Sequence, residues 1–125
     1  MADEFPADVK EFIGKHIHSV AQLEILLMLR KEPERTWTSA EITSALYLQS
    51  QMVAQLLADI AQRGFAVQTE NCFRYQPAND ADRQLIERLA QVYQERRVAV
   101  IAEIFSKPID FIKAFADAFR LRKEE

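Results

Sequence analysis

The fold turns on a stretch that starts Thr38-Ser39-Ala40-Glu41-Ile42-Thr43-Ser44-Ala45-Leu46-Tyr47-Leu48 and continues Gln49-Ser50-Gln51-Met52-Val53-Ala54-Gln55-Leu56-Leu57-Ala58-Asp59-Ile60-Ala61-Gln62-Arg63-Gly64. Thr38 and Glu41 have the spacing of a capping box, in which each side chain satisfies the other's backbone N–H, so a helix should open here with Ile42, Ala45 and Leu46 on its inner face. A brief turn at 47–48 follows. Over 49–63, Met52, Val53, Leu56, Leu57 and Ile60 recur at helical spacing, and Gly64 supplies the stop. The next stretches, 65–69 and 72–76, flank Glu70-Asn71, and Asn71 tolerates the left-handed conformation a tight hairpin turn requires. Short helix, turn, longer helix and hairpin therefore succeed one another.

Working outward, Ser19-Val20-Ala21-Gln22 has the form of a second capping box, and Val20, Leu23, Leu26, Leu27 and Leu29 carry a helix until Pro33 forbids it, so the helix should stop near Lys31. Thr36-Trp37-Thr38 is β-prone, with Trp37 read as a core anchor for that small strand. Before residue 19, Val9, Phe12 and Ile13 follow Pro6 at helical spacing and predict a short helix within an N-terminal arm, 1–18. After the hairpin, Leu85, Ile86, Leu89, Val92, Tyr93, Val100, Ile101, Ile104 and Phe105 predict one uninterrupted helix from 80 to 106. At roughly 26 residues and 1.5 Å each, it would be about 39 Å long and would overhang a small domain. Pro108 breaks it, and Phe111, Phe115 and Phe119 then repeat at four-residue spacing before Arg120-Leu121-Arg122-Lys123.

Composition narrows the function classes. The chain has 125 residues, 49% hydrophobic and 28% charged, which suits one folded domain with an extra helix or two. Two glycines exclude glycine-rich phosphate loops. Cys72 stands alone, apolar runs such as 25–29 fall far short of the ~20 residues a membrane helix needs, and no secretory leader is legible, so a cytoplasmic protein is expected. His16 and His18 point to different faces of a helix, so neither a metal site nor any other cofactor is expected. No paired carboxylates sit among apolar residues and no nucleophile has a base in context, so the chain is read as a non-enzyme. Arg96-Arg97 are read as a solvated pair or as partners of Glu95 and Glu103.

The order helix, short strand, helix-turn-helix and hairpin resembles the winged-helix fold. Leu48-Gln49-Ser50-Gln51-Met52-Val53-Ala54-Gln55-Leu56-Leu57 followed by Gln62-Arg63-Gly64-Phe65-Ala66-Val67 is similar to the recognition helix and wing of bacterial regulators of the MarR type. The fold class expected is mainly α with a small β-hairpin: a winged-helix domain at 19–78 and a C-terminal helical region at 79–125. The resemblance implies a homodimer that regulates transcription by binding duplex DNA. It places Gln49, Ser50, Gln51, Ala54 and Gln55 at the major groove and Arg63 and Arg74 at phosphates. It also implies that the long C-terminal helices build the dimer, through Leu89, Tyr93, Val100, Ile104, Phe111, Phe115 and Phe119.

The sequence departs from that pattern in charge. Residues 47–62 contain Asp59 and no lysine or arginine, whereas such regulators usually carry an arginine near the position of Gln55. Across 36–78 only Arg63 and Arg74 stand against Glu41, Asp59 and Glu70, and the whole chain carries a net charge of −3. Phosphate attraction supplies most non-specific DNA affinity. The alternative reading is therefore a winged helix that docks a protein partner and binds little or no DNA.

Overall fold

The Ser19 oxygen accepts the Gln22 backbone N–H at 3.0 Å and starts helix α2 (Val20–Lys31), as its spacing predicts. The glutamine does not return the bond to Ser19. Its Oε1 accepts instead from the backbone N–H of His18 at 2.8 Å, one residue further out. This ties the start of α2 to the end of the preceding helix, α1 (Ala7–His16), whose Val9, Phe12 and Ile13 are buried. The computed structural model describes residues 6–105.

The remaining elements are β1 (Trp37–Thr38), α3 (Ser39–Leu46), α4 (Ser50–Gln62), β2 (Ala66–Thr69), β3 (Cys72–Tyr75), α5 (Asp80–Glu95) and α6 (Arg97–Phe105). The Thr38–Glu41 capping box is complete, with bonds of 3.2 and 3.0 Å. The three strands form one antiparallel sheet in the order β1-β3-β2, with Trp37 opposite Phe73 and Ala66 opposite Tyr75. A mainly helical chain with this small sheet is compatible with a winged-helix-like arrangement. One hydrophobic core runs through α1, the central elements and α5–α6, so the described parts of 1–18, 19–78 and 79–125 pack as a continuous unit.

Two local expectations are corrected. In the β2–β3 turn the left-handed residue is Glu70, at φ 56°, and not Asn71; the Gln68 side-chain amide donates to the Glu70 carbonyl at 3.0 Å and holds the conformation. More consequentially, the single helix expected over 80–106 is two helices, broken at Arg96 (φ −137°, ψ 57°). No proline or glycine causes the break. The stretch 94–97, Gln-Glu-Arg-Arg, has no apolar side chain to hold it to the core. Breaking there lets α6 turn back against α1 and bury Val100 and Ile104, which are 0% and 2% exposed. Burying such side chains is worth about 1.5–3 kcal/mol each, against about 1 kcal/mol for a helical hydrogen bond forgone. Burial wins, and no overhanging helix forms within the described residues.

Gly64 ends α4 at φ +86°, and its carbonyl accepts the Ala78 N–H at 2.8 Å, closing the base of the hairpin. A Cβ at Gly64 would meet Ala78 Cβ at an ordinary 3.5 Å, so the backbone angle and not space demands glycine. No helix among the described residues is long and apolar enough to cross a membrane.

The return of α6 is testable by urea denaturation. Ile104→Ala should destabilise the protein by about 2–4 kcal/mol because it empties a buried site. Val98→Ala, on the exposed side of the same helix, should fall within about 0.5 kcal/mol of the parent. Equal small effects at both positions would mean that α6 does not pack as described.

Candidate nucleic-acid interface

Val53, Leu57 and Ile60 bury one side of α4, and among the described residues nothing covers the opposite side. Gln51, Ala54 and Gln55 are exposed on that outer side, with Ala58 and Gln62 extending it, whereas Gln49, the N-cap, and Ser50, the first helical residue, are exposed at the N-terminal end of the helix. The five residues that the resemblance places at a DNA groove thus divide between the outer side of α4 (Gln51, Ala54, Gln55) and its N-terminal end (Gln49, Ser50). The face holds amides, a hydroxyl and methyl groups and no formal charge. Amides of this kind can make paired hydrogen bonds to base edges, but they attract no phosphate.

Arg63 has a different place from the one expected. Its Nε donates to Asp59 Oδ2 at 2.8 Å, and its Nη1 reaches the Lys15 carbonyl at 3.3 Å and His16 Nδ1 at 3.1 Å. The guanidinium faces α1 rather than solvent, because a half-buried Asp59 one turn earlier captures it. On the other side of Asp59, the same Oδ2 accepts from Gln22 Nε2 at 3.0 Å, and that Nε2 also donates to the His16 carbonyl at 2.8 Å. Gln22, His16, Asp59 and Arg63 therefore form one polar junction joining α1, α2 and α4.

Arg74 lies on the outer face of the sheet, half-buried, with Nη2 donating to Gln76 Oε1 at 2.7 Å. Val67, Thr69 and the half-buried Cys72 surround it in a shallow depression of about 400 Å³. The tip of the hairpin carries Glu70 and Asn71 and no cation. Arg97 also departs from expectation: it pairs with Glu24 on α2 at 3.0 Å and lies over the Tyr93 ring at 5.0 Å.

The residues expected at a dimer interface divide in two. Leu89, Tyr93, Val100 and Ile104 are buried in the chain's own core, which occupies the faces that the long-helix expectation gave to a second copy. Phe111, Phe115 and Phe119 lie outside the described residues. Among the described residues no cluster of three or more His, Cys, Asp or Glu could hold a metal ion.

Tyr47 was not singled out by its sequence context. It caps α3 in the left-handed conformation (φ 57°, ψ 45°), where an aromatic residue is uncommon, and stands 92% exposed beside the start of α4. No glycine or asparagine marks the position, so the only signal was the need for a sharp turn between two helices. The chain matches no protein-family model, no curated protein and no solved structure with which it was compared.

The junction sets a pH dependence. A guanidinium can only donate, so the 3.1 Å contact requires His16 Nδ1 to accept and the ring to be neutral. Burial, followed by the Arg63 charge, lowers the His16 pKa below its ordinary 6.5, and Lys15 and His18 push the same way while Asp82 opposes them. The folded state therefore binds fewer protons than the unfolded state. The His16 contribution to stability is fully present above pH 6.5 and is lost as the pH falls through the lowered folded value. Denaturation midpoints should drop between pH 7.5 and pH 5, and His16→Gln, which keeps an acceptor without titrating, should flatten that part of the drop. An unchanged pH profile in the variant would exclude His16 as its source.

Proposed function

We propose that the chain is a winged-helix transcriptional regulator of the MarR type, without catalytic activity, which binds duplex DNA through the exposed face of α4. The observation that carries this reading is the exposure of Gln51, Ala54 and Gln55 on the outer side of a 13-residue helix, with Gln49 and Ser50 exposed at its N-terminal end. Glutamine pairs with adenine through two hydrogen bonds, and the Ala54 methyl suits the thymine methyl. The reading includes a homodimer, because one protomer offers too little phosphate contact to hold DNA alone. With Arg63 turned inward, Arg74 is the remaining cation of the expected contact set.

Such binding is unusual in its salt response. With about one phosphate neutralised per protomer, log K against log salt should fall with a slope of only about −2 for a dimer. Fluorescence anisotropy on duplexes selected from a random pool measures it. Gln51→Ala combined with Gln55→Ala should weaken the selected duplex at least about thirtyfold, since each of the two paired amide contacts is worth about 1–3 kcal/mol. Enrichment of no duplex, or an affinity indifferent to the double substitution, would overturn DNA reading by α4.

A second reading, a winged helix that docks a protein, is favoured by the charge placement: an acidic hairpin tip and an arginine committed to the α1 junction. It predicts no duplex binding even at about 50 mM salt, where weak electrostatic contacts are strongest.

A further inference from the structure

Two sides of α6 are apolar. Val100 and Ile104 fill the side packed against α1 and α5. On the outward side, Val98 and Phe105 are 80% and 76% exposed, Ala102 is exposed between them and Ile101 is half-buried beside it. The spacing i, i+3, i+4 and i+7 places these four in one stripe. Across its nine residues α6 carries only Arg97 and Glu103 as charged side chains, and Arg97 is held by Glu24 at 3.0 Å. A helix that is apolar on both sides is ordinarily covered on both.

The described residues end at Phe105, the last member of that stripe. The sequence that follows carries a matching pattern: Phe111, Ile112, Phe115, Ala116 and Phe119 share one side of a helix, while Lys113 and Asp117 fall on the other. The lengths agree as well. Seven residues separate Val98 from Phe105 and eight separate Phe111 from Phe119, about 10.5 and 12 Å of helix at 1.5 Å per residue. Ser106-Lys107-Pro108 joins the two patterns, and connections this short place consecutive helices antiparallel and side by side. Proline is tolerated in the first turn of a helix, where its missing N–H costs no bond.

We propose that residues 109–119 fold back along α6 of the same chain, with Phe111, Phe115 and Phe119 covering Phe105, Ala102 and Ile101 and with Val98 at the rim. The chain itself is a better cover than a second copy on two grounds. A stripe of four side chains on a nine-residue helix falls well short of the roughly 800 Å² per partner that a stable interface buries. A segment tethered through three residues is also present at an effective concentration on the order of millimolar, whatever the protein concentration. Ala102 and Ala116 allow the two helices to approach closely. The phenylalanine stripe then completes the protomer and takes no part in a homodimer interface. The stripe and the α4 face share no residue, so the proposal stands whether or not α4 reads DNA.

The test uses the full chain in a Cys72→Ser background, which removes its one native thiol. Ala102→Cys combined with Ala116→Cys places a cysteine on each facing side without altering a phenylalanine, and Ala102→Cys combined with Asp117→Cys is the control with the second cysteine turned away. Under mild oxidation the first pair should close at least tenfold faster than the control and give a disulfide of monomer mass on a non-reducing gel. In a second measurement, Phe105→Asp should speed tryptic cleavage after Lys113 at least tenfold, with the circular dichroism spectrum and thermal midpoint near those of the parent. If that variant unfolds, the disulfide pairs decide alone. A product of dimer mass would overturn the proposal by showing that a second copy covers α6. Equal closure of the two pairs, no closure, or cleavage indifferent to a folded Phe105→Asp variant would overturn it by showing that the segment does not dock.

Discussion

One amide holds the architecture together. Gln22 is 2% exposed and makes four hydrogen bonds: its backbone N–H to Ser19, its Oε1 from His18, and its Nε2 to the His16 carbonyl and the Asp59 carboxylate. A buried amide without partners costs a few kcal/mol, so this position tolerates few alternatives. Because Asp59 in turn holds Arg63, and Arg63 meets His16, the orientation of α4 is set from behind by α1 and α2. The exposed face of α4 is therefore presented at an angle fixed by polar contacts as well as by the packing of Val53, Leu57 and Ile60.

That fixed helix shows how far a face can be shaped for hydrogen bonding while lacking charge. Nucleic-acid readers ordinarily combine cations that hold the backbone with side chains that read bases. Here the base-reading kind of surface is present on α4, whereas the nearest cation in sequence, Arg63, is spent on internal structure. The other described arginines of α2, the loop after it and the start of α6 (Arg30, Arg35 and Arg97) are likewise paired with carboxylates.

Much of the fold was legible because its signals are local. The Thr38–Glu41 spacing, the apolar period of α4 and the glycine at 64 each act within a few residues, and the structure follows them. Features set by distant partners were not legible. The break at Arg96 depends on α1 being available to cover Val100 and Ile104, and no residue near 96 announces it. The left-handed turn residue is Glu70, held by Gln68, although asparagine has the better intrinsic tolerance. The buried stripe of α4 was legible from periodicity, whereas the choice of outward residues came from the resemblance. The capture of Arg63 was not, because its partner His16 is 47 residues away and only the i,i+4 relation to Asp59 hinted at it.

The meeting of α1 with α6 joins segments from opposite ends of the described chain. A contact of such long range is reached only after most of the chain has lost its freedom, and closing a large loop carries an entropy cost that local helices do not share. The α1–α6 layer therefore carries a larger loop-closure cost than any of the local helices. Since His16 and the Lys15 carbonyl reach Arg63 from that layer, the rear support of α4 is tied to this long-range closure. The stiffness of the outward-facing helix thereby becomes a property of the whole ring of elements rather than of the helix itself.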